Sequence, residues 1–178
     1  MRLRAWLEDQ ESGIATRWYQ EIRAASSHPG EEEGPLLRRV AEHMVSVIPR
    51  CLGDHRELGL EVWQNLAHLY GSLAVRRGLA AGEVVEELQL LRNVILRLFL
   101  VDTPQAGPDG ERTERIPPLE LLTLNRVLDL AVSRASIAYV DDLFFTHLQG
   151  SGVTDGIDSE LVEEMDRQLE GFRMDLAR

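Results

Sequence analysis

Two strongly apolar helices, joined by a short glycine-containing turn, constrain this chain more than any other part of its sequence. In the first of them apolar residues recur at helical spacing, three or four positions apart: Leu58, Val62, Leu66, Leu69 and Leu73. Arg76 and Arg77 fall in its last turn, where positive charge meets the negative end of the helix dipole. Gly78 follows and favours a left-handed cap. The pattern predicts a helix with this face turned inward that ends at this glycine.

The second helix of the pair is apolar on nearly all sides. Its apolar positions are Val84, Val85, Leu88, Leu91, Val94, Ile95, Leu98 and Phe99. Carboxylates occupy its first turns, beside N–H groups that lack helical partners: Glu83, Glu86 and Glu87. Only a narrow polar ribbon remains, made of Glu86, Gln89, Asn93 and Arg97. A helix covered in this way needs several neighbours, so we predict that it is the central helix of the fold.

Helical spacing on both sides of this pair predicts four more helices, at about residues 3–25, 35–48, 118–148 and 159–177. Pro49 is expected to end or kink the second helix of the chain near residues 45–48. The segments between helices are rich in Gly, Pro and charged residues, and no strand pattern is present. The sequence therefore predicts an all-α, single-domain bundle of five to six helices. Its core could be four-helix-bundle-like or globin-like.

The glycine-rich stretch near residue 150 suggests a division of the chain. We expect residues 1–149 to form a helical sensory or regulatory domain, residues 150–158 a hinge, and residues 159–178 a C-terminal connector or dimerisation helix. In that last helix the apolar residues follow heptad spacing: Val162, Met165, Leu169, Phe172 and Leu176. These five residues are the candidates for a dimer or transmission surface. The alternative is that the helix folds back onto the bundle.

Charge and cysteine content bound the possible partners and compartment. The net charge of −11 argues against non-specific binding to nucleic acids or anionic membranes, which reward positive charge. Cys51 is the single cysteine, which excludes a disulfide within the chain and fits a reducing compartment. Neither a signal peptide nor a membrane-spanning run is expected, since charges interrupt the most apolar stretch. We therefore expect a cytoplasmic protein.

Residue patterns that support catalysis or metal binding are missing from the sequence. Its histidines do not form the spacings of zinc or di-iron sites: His28, His43, His55, His68 and His147. Phosphate-binding loops and nucleophile elbows are also absent, so we predict no catalytic residue, no metal, no cofactor and no enzymatic activity. One alternative stays open, in which the protein carries a small apolar ligand or haem between helices three to five.

The stretch LYGSLAVRRGLAAGEVVEELQLLR, residues 69–92, resembles the N-terminal domain of RsbT co-antagonist (RsbRD-type) proteins. Arg17-Trp18 and Ala138-Tyr139 are also similar to the pattern of that family, whereas Ala80-Ala81-Gly82 stands where a hydroxyl N-cap would be expected. The resemblance implies a helical, dimeric signal-input module. Such domains precede STAS domains, histidine-kinase transmitters or transcriptional regulators in bacterial cytoplasmic proteins.

Together, the residues and the resemblance suggest a non-enzymatic bacterial signal-input domain. It would form a homodimer and relay a conformational change to an output domain, or to a partner such as a histidine kinase or a stress-response regulator.

Overall fold

Six helices make up nearly all of the chain that the computed structural model describes, which is residues 3–25, 33–53, 56–102, 118–148 and 157–177. No strand occurs in these ranges. The prediction of an all-α, single-domain bundle is confirmed, because the buried residues of all six helices form one hydrophobic core. The helices are α1 (Leu3–Ala25), α2 (Glu33–Cys51), α3 (Arg56–Arg76), α4 (Ala81–Asp102), α5 (Pro118–Leu148) and α6 (Ser159–Leu176).

Five helices pack as a closed ring, in the order α1, α2, α3, α5, α4 and back to α1. The sixth helix, α6, lies against α3 and α2 on the outside of this ring. The three tryptophans Trp6, Trp18 and Trp63 are all buried and anchor the core. None of the helices within the described ranges is long and apolar enough to cross a membrane.

α4 is one member of this ring and contacts chiefly α1 and α5, so the prediction that it is the central helix was wrong. α3 packs more extensively, against α2, α5 and α6. The physical reason is side-chain size, since small residues of α3 let neighbouring backbones come close on more than one side. A Cβ atom built on Gly59 would lie 2.9 Å from the carbonyl carbon of Arg50 in α2.

The first residue of the predicted inward face of α3 is not buried. Val62, Leu66, Leu69 and Leu73 are buried as expected, but Leu58 is 40% exposed. At this level of α3 it is Gly59 that contacts the end of α2. Adjacent residues on a helix point about 100° apart, so Leu58 cannot face the same neighbour. Leu58 is therefore turned away from the core.

The turn between α3 and α4 follows the predicted glycine cap. Gly78 has a φ angle of 69°, in the left-handed region that favours glycine. The N–H of Gly78 donates to the Val75 carbonyl at 3.0 Å, and the N–H of Leu79 donates to the Ala74 carbonyl at 3.1 Å. This pair of hydrogen bonds defines a Schellman motif. It reverses the chain immediately after α3.

α4 begins without a hydroxyl N-cap, and a glutamate satisfies one of the main-chain N–H groups at the start of the helix. The Glu83 carboxylate accepts a hydrogen bond from the Ala80 N–H at 2.6 Å. Glu83 is the third helical residue, so this contact is one half of a capping box. The departure from the expected N-cap at residues 80–82 is thereby compensated.

α2 extends beyond the predicted end near residues 45–48 and continues through Pro49 to Cys51. A proline this close to the C-terminus removes a single main-chain hydrogen bond. Ile48, Pro49 and Cys51 are all buried, and their packing offsets that loss. The chain then leaves the helix in a turn, with the Leu52 N–H donating to the Pro49 carbonyl.

α3 and α5 cross in backbone contact at Gly71. A Cβ atom at this position would lie 2.1 Å from the Ala135 carbonyl oxygen, closer than any real contact. Ala135 is itself fully buried, so α5 offers another small residue at the crossing. The two helices can approach this closely only while both positions remain small.

We expect Gly71→Ala to destabilise the protein by about 2 kcal/mol or more, because the added methyl group must separate α3 from α5. Gly82→Ala is the matched control, since nothing lies within 4 Å of its Cβ position. That control should change the free energy of unfolding by less than about 1 kcal/mol. Urea unfolding followed by circular dichroism measures both, and equal effects of the two substitutions would contradict the close crossing.

Candidate functional site

A buried ion pair joins the end of α3 to the second turn of α4. Arg77 places its two terminal guanidinium nitrogens 2.7 Å from the two carboxylate oxygens of Glu87. The Arg77 side chain is 1% exposed and that of Glu87 is 8% exposed. A two-pronged pair of this kind is both stronger and more directional than a single contact.

Two further side chains complete what we call the ion cluster, defined as Glu33, Tyr70, Arg77 and Glu87. Nε of Arg77 donates to the Glu33 carboxylate of α2 at 2.6 Å. The Tyr70 hydroxyl of α3 donates to Glu87 at 2.5 Å. Three of the helices, α2, α3 and α4, are thus tied together at one buried point.

Trp18 attaches a further helix, α1, to the same cluster. Its indole N–H donates to the main-chain carbonyl of Glu87 at 2.7 Å. Its ring stacks on Tyr70, with the ring centroids 5.7 Å apart. Both side chains are almost fully buried. The indole therefore holds the backbone of Glu87 while the guanidinium holds its carboxylate.

The surroundings of the cluster keep Tyr70 and Arg77 protonated. Burial raises the pKa of Tyr70 well above its ordinary value, and the negative charge of Glu87 raises it further, so the phenol stays neutral and donates. Burial alone would lower the pKa of Arg77, but its hydrogen bond to Glu87 and the neighbouring acidic groups raise it overall.

The sequence placed Arg77 at the helix end but did not reveal its partner. The Schellman turn reverses the chain just beyond Arg77, and the guanidinium reaches the second turn of α4. Glu87 was expected only to favour the positive end of the α4 dipole. A signal was present, because Glu87 lies between Val84 and Leu91 on the apolar face of α4. A carboxylate on a buried face requires a partner.

A cleft of about 550 Å³ opens beside the ion cluster. Most of its polar lining is acidic or amide, and its residues include Glu33, Glu83, Glu86, Glu87, Gln89 and Asn93. Arg77 also borders the cleft, but its guanidinium is already bound to Glu87 and Glu33. The described lining residues therefore offer hydrogen-bond acceptors, and a nucleophile paired to a base is not among them.

The described part of the chain contains no group of three or more His, Cys, Asp or Glu side chains arranged to hold a metal ion. His43 is half-buried, and its Nδ1 lies 2.9 Å from the Arg39 carbonyl. His68 is exposed. His28, His55 and the side chain of His147 lie outside the described residues. His43 borders a small cavity of about 210 Å³, which is also lined by Val47, Leu66 and Phe172.

Cys51 is buried at the end of α2, where its thiol lies 3.5 Å from the Val47 carbonyl. Burial raises the pKa of this thiol to about 12. At neutral pH it remains protonated and is a poor nucleophile.

The five candidate residues of α6 all lie on the face that meets the rest of the chain. Met165 and Leu169 are each 2% exposed. The other three are partly buried and pack against the same core: Val162, Phe172 and Leu176. The structure thus shows the folded-back arrangement. A pairing of two α6 helices through this face stays a prediction, and it would require α6 to leave the bundle.

Polar contacts cap α6 at its N-terminus and hold it against α2. Asp158 caps its N-terminus by accepting from the Leu161 N–H at 2.8 Å. Arg39 of α2 makes a two-pronged pair with Asp166, at 2.7 and 3.0 Å. Arg50, also of α2, donates to the Leu176 carbonyl at 2.8 Å. Much of the hinge predicted at residues 150–158 lies outside the described residues.

Comparison with known proteins finds no matching protein family, no matching curated protein and no matching solved structure.

We expect Arg77→Met to destabilise the protein by about 3–5 kcal/mol, because it leaves the buried carboxylate of Glu87 without its cation. Arg38→Met is the matched control, since the Arg38–Glu42 pair of α2 is more than half exposed. That control should change the free energy of unfolding by less than about 1 kcal/mol. Chemical denaturation measures both. A loss below about 1 kcal/mol for Arg77→Met would show that the cluster does not hold the helices together.

Cys51 should react with a thiol reagent at pH 8 about 1,000-fold more slowly in the folded protein than in denaturant, because its pKa rises from 9.0 to about 12. The folded state favours the protonated thiol, so this group's contribution to stability is lost as the pH rises from about 9 toward 12. Thr16→Cys, at an exposed site on α1, is the fast-reacting control. Equal labelling rates for the two cysteines would contradict the burial of Cys51.

Proposed function

We propose that this chain is a non-enzymatic signal-input domain that forms a homodimer and relays a conformational change to an output domain or partner protein. The resemblance of residues 69–92 to RsbRD-type domains supports a bacterial regulatory role, with a histidine kinase or a stress-response regulator as the output. The observation that carries the proposal is the light attachment of α6 to an otherwise closed ring of helices.

The attachment of α6 is small for a helix of its length. Only Met165 and Leu169 are fully buried among its 18 residues. The outward face carries exposed carboxylates, including Glu160, Glu163 and Glu170. Burying an apolar side chain contributes about 1.5–3 kcal/mol. Two such side chains give α6 a docking free energy of about 3–6 kcal/mol, which a ligand or partner is able to overcome.

α2 supplies a physical connection between the ion cluster and α6. Glu33, at its first turn, binds Arg77. Arg39 and Arg50, further along the same helix, hold α6. Any displacement of α2 would change the contacts at both places. In our proposal the bundle detects the signal, α2 moves, and α6 is released or held.

Leu169→Asp tests whether α6 is a separately movable element, because a charge at this buried position disfavours docking. We expect hydrogen exchange of α6 amides to accelerate about 100-fold or more, while exchange in α1, α3, α4 and α5 changes by less than about tenfold. Glu170→Ala, on the exposed face of α6, is the matched control and should leave the exchange rates of α6 and of the other helices unchanged.

Two outcomes of this exchange experiment would contradict the relay. Continued protection of α6 in Leu169→Asp would mean that the helix does not leave the bundle. Loss of protection throughout the molecule would mean that α6 is an integral part of the core.

A further inference from the structure

The outer face of α5 carries large exposed apolar side chains near both ends of the helix. Large apolar side chains along it are at least half exposed: Leu119 (69%), Leu122 (56%), Ile137 (50%), Val140 (57%), Phe144 (60%), Phe145 (59%) and Leu148 (66%). The opposite face is buried against α3 and α4 through residues such as Leu124, Ala131 and Ala135. A surface of this extent on a helix of a water-exposed bundle is typical of an interaction site.

The exposed residues form one continuous stripe, which we call the α5 stripe. It consists of nine positions at steps of three or four residues, averaging about 3.6: Leu119, Leu122, Arg126, Leu130, Ser133, Ile137, Asp141, Phe145 and Leu148. Leu130 is half-buried and the other eight are exposed. Val140 and Phe144 widen the stripe at one end.

The α5 stripe is complementary to itself when two copies run antiparallel. Full overlap places Leu119 opposite Leu148 of the second copy, which follows from the positions alone. In the same register Leu122 lies opposite Phe145, and Leu130 lies opposite Ile137. Every large apolar residue of the stripe then meets another one.

Charge selects the antiparallel direction. In that register Arg126 of one copy lies opposite Asp141 of the other, and Ser133 lies opposite Arg134. A parallel pairing would place Arg126 against Arg126 and Asp141 against Asp141, and like charges facing each other are destabilising. Asp129, at the edge of the stripe, already pairs with Arg92 of α4 within its own chain.

Size also suits a pair of these helices. A 31-residue helix is about 45 Å long, and a specific interface buries about 800 Å² on each partner. At the centre Ser133 of one copy meets Arg134 of the other, and large apolar side chains are at both ends.

We propose that two copies of this chain associate through the α5 stripe, antiparallel and fully overlapped, around a two-fold axis near Ser133. The acidic net charge and the Asp141 and Asp129 carboxylates at the stripe oppose its insertion into an anionic membrane surface. The pairing deepens the homodimer of the proposed function by naming its surface. It leaves α6 on α2 and α3, so the relay experiment on Leu169 does not depend on it.

Light scattering during size-exclusion chromatography tests the surface. The unmodified chain should elute as a dimer at micromolar concentration, and Ile137→Asp and Phe145→Asp should each weaken the dimer about 100-fold or more. Met174→Asp, at an α6 residue that is 60% exposed, is the matched control and should remain dimeric. Far-ultraviolet circular dichroism checks that each variant retains its helical content.

A cysteine pair tests the register. Leu122→Cys with Phe145→Cys should form a covalent dimer on mild oxidation, whereas Leu122→Cys alone should not, because its counterpart lies far along the partner helix. Buried Cys51 does not compete. Covalent dimers from Leu122→Cys alone would indicate parallel helices and overturn the register.

Two further outcomes would overturn the inference as a whole. One is a chain that remains monomeric at all accessible concentrations. The other is a dimer that survives Ile137→Asp and Phe145→Asp but dissociates in Leu169→Asp, which would assign the interface to α6 and leave the regulatory function standing.

Discussion

The two-pronged pair between Arg77 and Glu87 is the interaction on which the arrangement of the helices depends. It lies where α1, α2, α3 and α4 converge, and each of these helices supplies a contact to it. Buried charges are stable only when they are paired and hydrogen-bonded, and the contacts from Glu33 and Tyr70 add such hydrogen bonds to the pair. The cluster therefore specifies one mutual position of four helices, which generic apolar packing would leave less defined.

Local features of this fold could be read from the sequence, whereas the contacts between helices could not. Gly78 has the chemistry of a left-handed cap, and the structure confirms that role. Helical periodicity shows which face of a helix is apolar but not which neighbour covers it. For this reason α4 was wrongly predicted to be central, and Leu58 was wrongly placed on the inward face. The partner of Glu87 lies ten residues away across a turn, beyond the reach of any spacing rule.

Two apolar helix faces differ in their exposure to solvent in this molecule. The heptad face of α6 is covered by its own chain, although its sequence pattern is the one expected of a pairing helix. The outer face of α5 shows no heptad in the sequence because this helix is apolar on most sides, yet it is the face left exposed. Periodicity alone therefore does not distinguish an intramolecular contact from an intermolecular one.

The stacking of Trp18 on Tyr70 has a consequence for spectroscopy. The indole lies against the phenol whose hydroxyl binds Glu87, and its own N–H binds the carbonyl of the same residue. Asymmetric, rigid surroundings of this kind give aromatic rings strong near-ultraviolet circular dichroism, which fades when the packing loosens. Loosening of α1 from α3 and α4 would therefore weaken this part of the near-ultraviolet signal, to which the buried Trp6 and Trp63 also contribute.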